Sequence, residues 1–330
     1  MISAMIPQNR ANPTLHSSKE IKFCFIFCVI IVLQVTYLHF AMRHTTTSTT
    51  TKHRFDPRQH VYLPNTTFEQ ILDETSISEE AQSLASNGTL FCFVLTSPKY
   101  HRTRVPAVAS TWLQRCDHGQ FYTSAPIPNY EHITQNRVHS VAVAYSTIFK
   151  QIPDEYDLLF SKTLLALRFT HRMYPEFEWY YKADDDTYAI VEHLRHYLSS
   201  LDPSLPHYIG YRLNKHLPRG YNSGGAGYVL SRAALEDFEQ ADLYGDRKRC
   251  PPCEYEDVGL GRCFSNLTIF PEDARNAKGQ HLFFPSRPDQ IIRWKGADTI
   301  SPDTISFHHL SPQEMLDLEL FTYYIDSPAR

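Results

Sequence analysis

The pattern of hydrophobic and polar positions divides the chain into an apolar run, a polar tract and a long region of strand and helix signals. Residues 23–42 carry no charged side chain over 20 positions, and an α-helix needs about 20 apolar residues to cross a bilayer. A cleaved signal peptide, the alternative, would have a shorter apolar core and a small-residue cleavage site. We therefore predict a cytosolic tail at 1–22 and a transmembrane signal anchor at 23–42.

A polar segment, residues 43–87, follows the apolar run. It opens with His44–Thr51, a tract of threonine and serine whose composition cannot form a packed core. Farther along, Ile71–Leu84 has helical spacing and predicts a short helix that packs on the next domain. The segment is typical of a stem that holds a catalytic domain away from a membrane.

Residues 88–330 alternate between strand and helix patterns. Leu90–Thr96 is a short apolar run bounded by turn residues, as in a buried strand of a parallel sheet. Phe177–Ala183 predicts a second such strand, whereas Val105–Cys116 and Tyr156–Met173 have helical spacing. The alternation predicts an α/β fold whose central sheet has helices on both faces.

Composition and charge narrow the classes of function. The formal net charge is −4, which gives no overall basic field and predicts no nucleic-acid partner. Glycosylation sequons begin at Asn65, Asn87 and Asn266, and such sequons have meaning only in a secretory lumen. Five cysteines also follow the apolar run, so at least one thiol is free or pairs between chains. These features predict that the chain after the anchor is luminal.

The first chemical signal is the acidic run Asp184–Asp186, which follows the predicted strand Phe177–Ala183 directly. In an extended segment Asp184 and Asp186 point to one side and Asp185 to the other. Three adjacent carboxylates repel one another unless a partner is present, and hard divalent cations prefer clustered carboxylate oxygens. On this stretch alone two interpretations stay open, a cation site and a turn that caps the following helix.

Three later patterns add further candidate chemistry. The glycine-rich stretch Ser223–Leu230 predicts unusual backbone angles or a close approach to a ligand. Glu256 and Asp257 open a predicted short helix, where carboxylates are also favourable against the helix dipole. His308 and His309 end a predicted strand just before a capping box. One of these histidines could complete a carboxylate metal site, or both could be structural.

Five blocks of the chain resemble, in this order, the core 1 β1,3-galactosyltransferases, a branch of the Fringe-like β3-glycosyltransferases. The blocks are Thr111–Cys116, Trp179–Arg195, Ser223–Leu235, Glu256–Cys263 and Ser306–Tyr324. The resemblance covers roughly residues 88–325 and is specific, because the Lys-Ala-Asp-Asp-Asp-Thr-Tyr, Ser-Gly-Gly-Ala-Gly-Tyr and Glu-Asp-x-x-Leu-Gly-Arg-Cys motifs occur together.

The resemblance implies a GT-A-type nucleotide-sugar transferase fold with a mixed, mostly parallel sheet. It implies a single-pass type II Golgi membrane enzyme with a luminal catalytic domain. Such enzymes use Mn²⁺ and transfer galactose from UDP-galactose to O3 of GalNAc on serine or threonine of a glycoprotein, with inversion. The expected partners are therefore a UDP-sugar, a GalNAc-bearing glycoprotein and the membrane; a homodimer is compatible with the sequence.

The resemblance also assigns roles to particular residues. The metal ligands would be Asp184, Asp186 and His308, and the donor site would include Thr96, Lys182, Asp184 and Asp185. Asp257 matches the family's general base and Glu256 stands beside it; which of the two is the base stays open.

One segment departs from the family. The interval between Cys263 and Phe307 contains no cysteine, whereas the family has an adjacent cysteine pair there, in a region that contributes to acceptor binding. Two alternatives are therefore kept. One is a related β1,3-glycosyltransferase with another donor sugar, such as Fringe-like GlcNAc transfer. The other is an inactive luminal lectin-like or chaperone-like paralogue, although the family's chaperone lacks a full triple-acid motif.

Overall fold

The computed structural model describes residues 67–134 and 137–325. The predicted tail, the predicted anchor and most of the predicted stem lie outside these residues. Within the described ranges, no helix is both long and apolar enough to span a membrane.

Short strands and helices alternate along the described chain. The strands are β1 (Asn87–Leu95), β2 (His118–Tyr122), β3 (Tyr130–Thr134), β4 (Arg137–Val141), β5 (Tyr145–Ser146), β6 (Glu176–Asp184), β7 (Tyr188–Ala189), β8 (Tyr208–Gly210), β9 (Arg212–Leu213), β10 (Tyr221–Asn222), β11 (Tyr228–Ser231), β12 (Pro271–Asp273), β13 (Phe283–Phe284) and β14 (Ser306–Phe307). The α-helices are α1 (Phe68–Glu74), α2 (Glu79–Ser83), α3 (Arg104–Ser110), α4 (Leu159–Met173), α5 (Val191–Leu198), α6 (Arg232–Gln240), α7 (Glu256–Ser265), α8 (Pro288–Lys295) and α9 (Pro312–Tyr323).

The central sheet has the strand order β12-β8-β11-β6-β1-β2-β5. Strand β11 runs antiparallel to both of its neighbours, and the remaining adjacent pairs are parallel. The expected mixed, mostly parallel sheet is therefore confirmed. Because β1 and β6 are parallel neighbours, their carboxyl ends meet at one edge, with Leu95 opposite Asp184.

Both faces of the sheet are buried, which the side chains of β1 show directly. Alternate residues of this strand enter two separate hydrophobic cores, one containing Leu90 and Val94 and the other containing Phe91 and Phe93. Helices α3, α5 and α9 contribute to the first core, and helices α4, α6 and α7 contribute to the second. The predicted helices on both faces are confirmed, and a continuous apolar run is what a doubly covered strand requires.

The predicted helix over Val105–Cys116 is interrupted. Helix α3 ends at Ser110, and a short 3₁₀ turn follows at Leu113–Arg115. The Thr111 hydroxyl donates a hydrogen bond to the carbonyl of Ala107 at 2.6 Å, and such local bonds compete with helix continuation. Cys116 must also reach Cys92 of β1, with which it forms a disulfide.

The remaining cysteines agree with the expectations, whereas the predicted helix over Ile71–Leu84 is divided into α1 and α2, because Ile77 between them forms a β-bridge with Ser146. Cys250 pairs with Cys263, and Cys253 is the free thiol among the described cysteines. Phe68 and Ile71 of α1 lie in the second hydrophobic core. This end of the predicted stem therefore packs on the domain that follows it.

Candidate active site

A cavity of about 520 Å³ opens at the edge where β1 and β6 end, a volume within the usual range for a small-molecule site. Its lining includes most of the residues that the sequence singled out: Thr96, Asp184, Asp185, Asp186, Glu256, Asp257 and His308. These side chains come from four separate parts of the chain. The fold therefore brings the predicted site residues together around one space.

The first end of the cavity is an acid–imidazole cluster. The His308 Nε2 atom lies 3.0 Å from Asp186 Oδ1 and 3.8 Å from Asp184 Oδ2. The Nδ1 atom of His309 lies 4.0 Å from Asp186 Oδ2. Asp184 and Asp186 thus face the same histidine, as the alternation of side chains along a strand predicted.

Asp185 points the other way and is tied to the protein. Its carboxylate accepts hydrogen bonds from the Thr96 hydroxyl at 2.7 Å and from Arg104 at 2.6 Å. Burial raises the pKa of Asp185 to about 6, although the bonds from Arg104 and Thr96 act to lower it. Asp185 therefore anchors the acidic turn to β1 and α3.

The pKa of Asp186 is shifted in the opposite direction from that of Asp185. Burial acts to raise its pKa, but the hydrogen bond with His308 and the charges of His308 and Arg104 bring the pKa below its ordinary value. Arg104 lies 3.3 Å from Asp186 Oδ2. The carboxylate of Asp186 is thus kept ionised by its neighbours, which suits a ligand for a cation.

The donor atoms in this cluster fit a divalent metal. Oxygen and nitrogen donors of Asp186, His308 and His309 lie within 4.8 Å of one another, and Asp184 adds a further carboxylate beside His308. A mixture of carboxylate oxygens and imidazole nitrogen is a donor set that Mn²⁺ accepts.

The second end of the cavity is the Glu256–Asp257 pair at the start of α7. Glu256 is buried and accepts a hydrogen bond from the Tyr228 hydroxyl at 2.9 Å. Asp257 accepts the backbone N–H of Val258 at 2.8 Å and that of Gly224 at 3.4 Å. Burial is the main reason that the pKa values of both carboxyl groups are raised.

The glycine-rich stretch lies between the two ends. A Cβ atom on Gly225 would lie 2.1–2.6 Å from the imidazole ring of His308, and one on Gly224 would lie 2.3 Å from Glu256. Thr187 donates a hydrogen bond to the Gly225 carbonyl at 2.8 Å, which fixes this loop on the acidic turn. The glycines are therefore needed because two functional side chains pack directly on the backbone.

Lys182 lies beneath the acids. Its side chain is 1% exposed, and its ammonium lies 2.6 Å from Asp184 Oδ1 and 3.9 Å from Glu256 Oε1. Burial acts to lower the pKa of Lys182, but the charges of Asp184 and Glu256 raise it. Lys182 thus links the two ends electrostatically from below, and its assignment to the donor site stays a prediction.

Two of the cavity residues that the sequence did not assign to the site, Arg104 and Tyr156, bear on its chemistry. Arg104 lies in the first turn of α3, and Tyr156 lies in the 3₁₀ turn Tyr156–Leu158 before α4. Arg104 follows Lys99 and Arg102 in the basic segment after β1, but its partner Asp185 is 81 positions away. Only the pairing of β1 with β6 brings them together.

Similarity to known proteins covers most of this domain. The Fringe-like family model matches residues 85–315. Glycoprotein-N-acetylgalactosamine 3-beta-galactosyltransferase 1 of Xenopus laevis is 30% identical over 286 residues, which are 81% of this chain and 72% of that protein. Human beta-1,3-glucosyltransferase is 31% identical over 185 residues, which are 54% of this chain and 33% of that protein.

One solved structure is a more distant match. The crystal structure of a glycosyltransferase involved in the glycosylation of the major capsid of PBCV-1 has a TM-score of 0.42 and 11% sequence identity. The match covers 71% of this chain and 100% of that one.

Proposed function

Because this chain is a glycosyltransferase that belongs to the Fringe-like family, within its core 1 β1,3-galactosyltransferase branch, we propose that it transfers galactose from UDP-galactose to O3 of GalNAc on glycoproteins. The fold is then the GT-A type, and the reaction inverts the configuration at the sugar carbon. The single observation that carries the proposal is one cavity with a cation-type cluster at one end and a raised-pKa carboxylate pair at the other.

The cluster is the proposed site for Mn²⁺ and the donor diphosphate. Asp186 and His308 would hold the ion, with Asp184 or His309 completing the protein ligands. When bound, Mn²⁺ supplies positive charge against the negative charge that develops on the leaving UDP. Thr96 and Arg104 keep Asp185 fixed, so that the acidic turn holds its ligands in position.

The carboxylate pair is the proposed site of proton transfer. We assign Asp257 as the general base, because Glu256 is already bonded to Tyr228 and lies close to the Lys182 ammonium. Asp257 accepts the proton of the acceptor hydroxyl as that oxygen forms its bond to C1 of galactose. The bond between C1 and the diphosphate oxygen breaks in the same step, and its electron pair leaves with UDP.

The proposed location follows from the sequence. A signal anchor at 23–42 and sequons after it would place this domain in the lumen of the Golgi, where nucleotide sugars meet glycoproteins. Residues 23–42 lie outside the described part of the chain.

A direct assay tests the proposal. The full-length protein is incubated with Mn²⁺, with each of several UDP-sugars in turn, and with a GalNAc-threonine glycopeptide. We expect transfer from UDP-galactose, dependence on Mn²⁺, and a β1,3 linkage in the product. Binding of the glycopeptide without any transfer would contradict the proposal and favour a lectin-like role.

A second candidate is a related β1,3-glycosyltransferase that uses another sugar. The 31% identity to human beta-1,3-glucosyltransferase favours it, as does the segment before Phe307, which lacks the family's cysteine pair. Transfer from a UDP-sugar other than UDP-galactose in the same assay would select this candidate.

A further inference from the structure

Tyr156 differs from the other exposed apolar side chains of the described chain. Eleven large hydrophobic side chains are exposed within the described ranges, and Tyr156 is the most exposed of them at 73%. It is also the member of this set that lines the cavity. An exposed aromatic ring at the mouth of a polar site is a common device for binding ligands that have one apolar face.

The backbone that carries Tyr156 is held firmly in place. The neighbouring residue Asp154 accepts a hydrogen bond from Ser124 at 2.6 Å and forms an ion pair with the buried Lys162 of α4. The Leu158 amide donates a hydrogen bond to the Glu155 carbonyl at 3.2 Å, which closes the 3₁₀ turn. The backbone around Tyr156 is therefore fixed, so that only the side chain remains to be ordered when a ligand binds.

Tyr156 lines the same cavity as Asp184 and Asp257. Although the residue is largely exposed, the cavity walls keep some water from its hydroxyl, which raises the pKa of Tyr156. The negative charges of Asp257 and Asp184 raise that pKa further. The ring therefore stands within electrostatic range of the proposed base.

A galacto-configured sugar ring matches this surface. Because its O4 is axial, the C–H bonds at C3, C4 and C5 lie together on one face, which is apolar and packs on an aromatic ring. We propose that Tyr156 is the stacking platform for the acceptor's GalNAc ring and holds its O3 towards Asp257. This inference rests on the proposed function and adds a specificity-determining residue to it.

The position of the ring favours the acceptor over the donor. The donor diphosphate is assigned to the cluster of Asp186 and His308, whereas the acceptor hydroxyl must reach Asp257 at the other end. A glycoprotein is too large to enter the cavity and must approach from solvent, where the face of Tyr156 is open. The platform is thus available to the reactant that arrives from outside.

The test compares three variants of the full-length protein in Mn²⁺-dependent transfer to GalNAc- and GlcNAc-threonine glycopeptides. Tyr156→Ala should raise the KM for the GalNAc glycopeptide about tenfold and reduce its preference over the GlcNAc peptide. Tyr156→Phe keeps the ring and should stay within about threefold of the unchanged protein. Tyr324→Ala is the matched control, because Tyr324 is 72% exposed and lies outside the cavity lining.

Donor-only measurements separate the inference from the proposed function. Tyr156→Ala should leave the KM for UDP-galactose and the slow donor hydrolysis in the absence of acceptor unchanged. A raised donor KM with an unchanged acceptor KM would overturn the acceptor assignment, and unchanged values for both would overturn the platform itself. Absence of transfer by the unchanged protein would instead refute the proposed function. Equal melting temperatures of the variants would exclude a folding defect.

Discussion

The two ends of the cavity contain the same kind of side chain in opposite environments. At one end Asp186 is surrounded by His308 and Arg104, and its pKa is lowered. At the other end Asp257 has backbone N–H groups as its closest partners, and burial raises its pKa. An aspartate that stays ionised suits a metal ion, whereas one that readily takes a proton suits a general base.

The difference shows how a sheet edge can serve two chemical tasks within one cavity. Basic side chains from other elements surround the acidic turn. The carboxyl groups at the start of α7 are instead buried, and Asp257 accepts hydrogen bonds from backbone N–H groups. Lys182 lies between them and within range of both Asp184 and Glu256. The environment of each aspartate, and not its residue type, therefore decides its role.

The largest expected effect comes from removing a ligand at the metal end. Asp186→Ala should lower transfer by about a thousandfold or more, because it removes a metal ligand, and it should leave the fold intact. Turnover at limiting Mn²⁺ together with thermal melting checks both points. Asp317→Ala is the control, since Asp317 is exposed on α9 and lies outside the cavity lining. Full turnover at low Mn²⁺ would show that Asp186 is not a ligand.

The second largest effect is expected at the Glu256–Asp257 end of the cavity. Asp257→Asn should lower kcat by about a hundredfold with little change in donor affinity, because the amide cannot accept the proton. Steady-state kinetics with UDP-galactose varied at saturating acceptor measure the two values separately. Glu254→Gln changes an exposed carboxyl just before α7 and should have almost no effect. A matched loss of donor affinity and kcat would mean that Asp257 is structural.

The adjacent glycines allow the two ends to be disturbed one at a time. Gly225→Ala should push on the His308 ring and weaken Mn²⁺ affinity by about ten- to a hundredfold. Gly224→Ala should displace Glu256 instead and lower kcat by about tenfold at unchanged Mn²⁺ affinity. Metal titration and kinetics on both variants provide the comparison. Identical defects in the two would show that the ends are not separable.

The smallest expected effect is a pH dependence. A base works only when ionised, so the raised pKa of Asp257 should move the acid limb of kcat above the range of an ordinary aspartate. As pH falls at saturating Mn²⁺, kcat should therefore decrease by about tenfold per unit below that raised pKa. An acid limb in the range of an ordinary aspartate would argue against the assignment.

Much of the architecture could be predicted from local patterns. The apolar run of β1 and the acidic run after β6 indicated buried strands that end in polar residues, because alternation and strand length are local properties. The capping box at Ser311 likewise predicted the start of α9, where both reciprocal hydrogen bonds are present. These signals depend on neighbours in the sequence.

Other features depend on contacts between distant segments and had no local signal. The antiparallel insertion of β11 between β8 and β6 is set by long-range pairing. The burial of Lys182 beneath Asp184 follows from that same pairing, since Tyr228 of β11 lies opposite Lys182. The contact of Arg104 with Asp185 and the presence of Tyr156 at the cavity mouth also required the assembled fold.

The claim that metal binding and proton transfer belong to separate ends of the cavity is tested most directly by calorimetric titration. The Asp257→Asn variant is titrated with UDP-galactose, with and without Mn²⁺. If the metal end and the base end act separately, this variant should bind the donor as tightly as the unchanged protein, and only when Mn²⁺ is present. Loss of Mn²⁺-dependent donor binding in Asp257→Asn would contradict the account, because Asp257 would then serve the donor and not the proton transfer.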